Sequence, residues 1–133
     1  MSIPYLVQGE LVDEIYMNNL ADDVNAIIQD GLVPNTEFST DRVLELGDRD
    51  HMLILTGSTN RTATIPNNDV VAFEIGTVIA FCQSGTGELT IASAAGVTVY
   101  AENSRYKTRG QHAVCAILKT ATNVWRLFGN TKP

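Results

Sequence analysis

Two different periodicities divide the chain. In residues 10 to 30, ELVDEIYMNNLADDVNAIIQD, the apolar residues Met17, Leu20, Val24 and Ile27 fall at spacings of three, four and three, which puts them on one stripe of a helix. Asn18, Asn19, Asp22, Asp23 and Asn25 take the other faces, and Gly31 stands where a helix commonly ends in the left-handed conformation. From Arg42 onward the period shortens to that of strands, in the runs RVLEL, HMLILTG, RTATI, TVIAFCQ, ELTIA, VTVY, QHAVCAIL and VWRLFG. The breaks between them (GDRD, GSTN, PNND, SGTG, SAAG and ENSRYKTRG) carry turn-forming glycine, proline, asparagine, aspartate or serine. This pattern predicts a mainly β protein, an antiparallel β-sandwich or barrel of about eight short strands with an N-terminal α-helix. Residues 1–40 read as an arm, an amphipathic helix and a linker through LVPNTEFSTD, and residues 41–133 as the β-rich domain.

The helical stripe leaves two arrangements open. It packs on the β domain of its own chain, or identical stripes associate about a symmetry axis, since a lone helix of about 20 residues is marginal in water. For self-association the expected contact residues are Met17, Leu20, Val24 and Ile27. Among the strands, TVIAFCQ and HAVCAIL are apolar on both faces, which suits interior strands or an additional contact surface. The glycines of SGTG are spaced as a hairpin needs them and precede a strand, ELTIA, so no helix N-terminus is available there to hold a phosphate.

Charge changes this picture modestly. Residues 1 to 50 hold eleven acids against Arg42 and Arg49, while residues 51 to 133 hold seven bases against four acids. The positive excess is small and spread over strands and turns, which argues against nucleic-acid binding; the asymmetry reads first as a solvated acidic helix face, and as a functional contact it would join the acidic part of one subunit to a basic surface elsewhere. Cys82 and Cys115 each sit among apolar strand residues and read as buried free thiols. His51 and His112 lie in different strands with no companion ligands, so neither metal nor cofactor is expected. No paired carboxylates or nucleophile motif surround Ser84, which predicts no enzymatic activity. No run approaches the roughly 18 apolar residues of a membrane span. With no signal for secretion, the acceptor tripeptide Asn60-Arg61-Thr62 reads as accidental.

The ordered set Thr64-Ile65-Pro66, Ile75-Gly76-Thr77, Gln83 with Gly85 and Gly87, Gly96-Val97-Thr98, Arg109-Gly110-Gln111, and Trp125 ahead of Gly129 resembles a small β-rich domain that recurs in virion proteins of tailed bacteriophages. The resemblance covers residues 62 to 129, about half the chain. It implies a place in a particle, assembled in the host cytoplasm. The chain has no long repetitive shaft, so the expectation is a trimeric capsid decoration, or cement, protein stabilising the head. Its partners would be itself, as a homotrimer, and other virion proteins, the major capsid protein first among them, with no nucleic acid and no membrane. The alternative is a neck, head-fibre or tail-fibre component with host-glycan adhesion, for which Tyr100, Tyr106 and Trp125 are the candidate aromatics.

Overall fold

The computed structural model describes residues 34–133. The helix read over residues 10–30, with Met17, Leu20, Val24 and Ile27, lies outside the described residues. Within them the protein is mainly β, with eleven strands: β1 Asn35–Phe38, β2 Arg42–Val43, β3 Met52–Leu55, β4 Arg61–Ile65, β5 Val78–Gln83, β6 Leu89–Ser93, β7 Thr98–Ala101, β8 Lys107–Thr108, β9 Val114–Ala121, β10 Val124–Gly129 and β11 Thr131–Lys132. All eight runs read from the sequence contain a strand. The three others are short, and one of them, β1, lies in the segment read as linker, where it pairs with β3.

The pairing is not that of an antiparallel fold. A six-stranded sheet has the order β1-β3-β5-β9-β10-β7, and a five-stranded sheet the order β11-β8-β6-β4-β2. The first six strands therefore alternate between the two sheets. β1, β3 and β5 stack in parallel in one, and β2, β4 and β6 stack in parallel in the other. This makes three coils of a flattened solenoid, in which each coil contacts mainly its neighbours. The chain then changes pattern. β9 pairs antiparallel with β5 and β10, β8 pairs antiparallel with β6 and β11, and β7 runs parallel to β10 at the far border. The sheets are thus mixed, and the antiparallel expectation holds only for the second half.

The turns explain the difference. A hairpin joins strands about 4.8 Å apart in one sheet, whereas a connection between packed sheets must cross about 10 Å. The five-residue links Thr56–Asn60 and Ser84–Glu88 make that crossing, from β3 to β4 and from β5 to β6. They sit directly on one another: Ser84 N–H donates to Leu55 O at 2.9 Å and Gly87 N–H to Gly57 O at 3.1 Å. Side chains repeat the stacking, with the Thr62 N–H donating to Asp41 Oδ1 at 3.0 Å and the Glu88 N–H to Asn60 Oδ1 at 2.8 Å. The SGTG segment is therefore the third arch of a stack, not a hairpin.

Alternation along each strand sends one row of side chains into a common core. Leu53, Leu55, Ile79, Phe81 and Ile117 come from the six-stranded sheet, and Ala63, Ile65, Leu89 and Ile91 from the other. Each large aliphatic or aromatic residue so buried contributes about 1.5–3 kcal/mol relative to exposure. The long β4–β5 connection closes one end of this core by inserting Phe73, whose ring meets Trp125 edge-on at 5.5 Å between centroids.

Candidate functional site

Among the described residues, several polar side chains are engaged in holding the fold. Arg42 donates from Nε at 3.1 Å and Nη2 at 2.5 Å to the carboxylate of buried Asp48, which also accepts the Glu45 N–H at 2.9 Å. This bidentate pair ties β2 to the turn that leads into β3. Thr108 links the sheets beneath the third arch, donating to Gln83 Oε1 at 2.5 Å and accepting the Leu89 N–H at 3.0 Å. Lys119 points inward from β9, is only 3% exposed, and donates to Asn68 Oδ1 and to the Phe73 carbonyl, both at 2.6 Å. Burial lowers its pKa from the ordinary lysine value, and its ammonium fastens the core-closing connection.

The sequence-derived candidates separate once placed. Cys115 is buried and Cys82 half-buried, both as free thiols. Phe81 pairs with Cys115 and Cys82 with Val114, so the two sulfurs lie on opposite faces of the sheet. Desolvation pushes the Cys115 thiol up to about 12 and raises Cys82 as well. The reading of both thiols as buried is therefore corrected for Cys82, which sits on the outer face. His51 Nδ1 lies 2.9 Å from Arg49 O, and exposed His112 adopts φ 71° before β9. Among the described residues no three histidine, cysteine or acidic side chains cluster as a metal site would require. Of the three candidate glycan-stacking aromatics, Trp125 is core at 1% exposure, and half-buried Tyr106 donates its hydroxyl to Val99 O at 3.0 Å. Only Tyr100 is exposed, beneath the Arg126 guanidinium at 4.7 Å from its ring centroid.

What stands out is the contrast between the two outward faces. On the five-stranded sheet the outward strand positions are Val43, Thr62, Thr64, Thr90, Ala92, Lys107 and Lys132, a surface dominated by threonines and lysines. On the six-stranded sheet the outward positions of β3, β5 and β9 are Met52 and Ile54, then Val78, Ala80 and Cys82, then Val114, Ala116 and Leu118, all partly or fully accessible, with exposed Thr120 ending the row on β9. On β10 exposed Phe128 extends the patch beside Ala116, and exposed Arg126 borders it beside Leu118. Eight successive outward positions on three adjacent strands thus carry no charge and no hydroxyl. Single exposed apolar residues need no explanation, but a contiguous patch marks a contact surface. Both faces of TVIAFCQ and HAVCAIL are apolar in the sequence for this reason: one row fills the core and the other forms this patch.

Met17, Leu20, Val24 and Ile27 lie outside the described residues. No family model, curated protein or solved structure matches the chain.

Proposed function

We propose that this chain is a non-enzymatic structural protein of a bacteriophage virion, a trimeric capsid decoration protein that stabilises the head by binding the major capsid protein. The observation that carries the reading is the one-sidedness of the β domain: an apolar outward face on one sheet and a more polar one, with threonines and lysines, on the other. A protein built for permanent protein contact needs such a face, whereas a catalyst needs a concave site with free acid, base or nucleophile. The ordered motifs from Thr64 to Gly129 that resemble phage virion domains supply the setting. Many copies of a modest contact stabilise a shell, because binding one arm raises the effective concentration of the next. The fibre and glycan-adhesion reading has only Tyr100 left of its three aromatics, so no specific observation favours it.

The test is reconstitution. Purified chain added to particles that lack it should bind saturably, co-sediment with heads and raise the temperature at which they release DNA. Absence of co-sedimentation at micromolar concentration would sink the decoration role.

A further inference from the structure

We infer that the apolar outward face of the six-stranded sheet is where three copies of this chain meet, arranged head to tail about a threefold axis with β5 nearest that axis. The inference rests on the virion-trimer reading above and assigns its interface. Three observations point to other copies of this chain as the occupant.

The first is charge. β1 and β2 form one border of the two sheets, and β7 and β11 form the opposite border. Residues 34–50, at the first border, carry Glu37, Asp41, Glu45, Asp48 and Asp50 against Arg42 and Arg49. Residues 98–133, which end at the other, carry Arg105, Lys107, Arg109, Arg126 and Lys132 against Glu102, apart from Lys119, which is buried in the core. The domain is therefore polarised from an acidic border to a basic one, and copies placed head to tail bring opposite borders together. Two copies facing each other about a twofold axis through an acidic or basic border would bring like charges together.

The second is width. The strands β1, β3, β5, β9 and β10 span four spacings of about 4.8 Å, or about 19 Å. Three such faces closing a triangular prism stand about 5.5 Å from its axis, close to half of the roughly 10 Å at which packed sheets face one another. Two faces would meet without using the borders, and four would leave an open channel.

The third is the composition of the central strand. Val78, Ala80 and Cys82 of β5 present small or medium side chains outward, as do Val114 and Ala116 paired beside them on β9, while larger Ile54, Leu118 and Phe128 lie to either side. Small residues fit where three faces crowd an axis, and large ones fill the wider space near the corners.

Two measurements test this. Ala80→Glu places three carboxylates at the axis on an outward position that the single domain does not bury. Light scattering of the full chain should show a threefold fall in mass, from trimer to monomer, with the β circular dichroism signal kept. The second measurement uses Glu37 and Asn130, which end one cross-strand row: Glu37 pairs with Ile54, Ile54 with Cys82 and Cys82 with Val114, and the Asn130 N–H donates to Val114 O at 2.9 Å. With Cys82→Ala removing the native accessible thiol, the double variant Glu37→Cys with Asn130→Cys, treated with a short bis-maleimide, should give a ladder ending at three chains. Each single variant should give almost none. A trimeric wild type whose mass survives Ala80→Glu, or single variants that cross-link as well as the double, overturns the interface while leaving the virion reading intact. A monomeric wild type means that something other than a copy covers the face, and overturns both the interface and the trimer, leaving reconstitution on particles to decide the virion role.

Discussion

Cys82 and Cys115 occupy adjacent strands yet differ in what reaches them, because a one-residue step along a strand changes the face. Cys115 points into the core, and its thiol holds its proton up to about 12, so it should resist alkylation by maleimide at neutral pH until the chain unfolds. Cys82 should label without unfolding, and faster in the monomeric Ala80→Glu variant than in the assembled wild type. Mass spectrometry of the labelled sites separates the two, and rapid native labelling of Cys115 would contradict the core assignment. Lys119 supports a second prediction. Lys119→Met keeps the length of the stem but removes the donors to Asn68 and to the buried Phe73 carbonyl. An orphaned buried acceptor costs about 1–3 kcal/mol, so urea unfolding should show a loss of that order, and an unchanged midpoint would mean that the amine does not hold the connection. The burial of Cys115 was legible in the sequence, since HAVCAIL alternates around it. The exposure of Cys82 and the inward turn of Lys119 were not, because TVIAFCQ is apolar on both faces and lysine is rarely placed in a core.

At the scale of elements, the decisive feature is the stack of arches. Gly85 and Gly87 have no positive φ; among the described residues the glycines that do are Gly57, Gly76, Gly96 and Gly129. Their smallness is required instead by the arch beneath, since a Cβ on Gly85 would come within 2.1 Å of Gly57 O and one on Gly87 within 2.3 Å of Thr59 O. Backbone cannot yield as a flexible side chain does. Gly85→Val and Gly87→Val should each destabilise by about 2 kcal/mol or more through overpacking. Gly110→Ala, with nothing within 4 Å of the added carbon, should be nearly neutral by comparison. Equal thermal shifts for all three variants would contradict the stacking. A signal for this architecture did exist in the sequence: Ser39-Thr40-Asp41-Arg42 recurs as Ser58-Thr59-Asn60-Arg61, and the Asp41 and Asn60 carboxyl or amide oxygens accept N–H groups from the next coil in the same way. Strand positions were legible because alternation is local, whereas the choice between hairpin and arch depends on which strand lies beneath, a non-local fact that turn composition alone does not carry.

At the scale of the whole molecule, a polarised, one-sided β domain suits a place in a particle. The apolar outward face and the opposed acidic and basic borders are both visible as composition in the sequence, but only the sheet order shows that the face is continuous and that the charges fall at opposite ends of the stack. The most direct test of the central claim is the number of copies in purified phage particles, measured by quantitative mass spectrometry against a labelled standard. Copies on the order of hundreds, as many modest contacts over a shell require, are expected for a decoration protein bound to the head. Absence from the particle, or only a few copies at one vertex or in the tail, would contradict it.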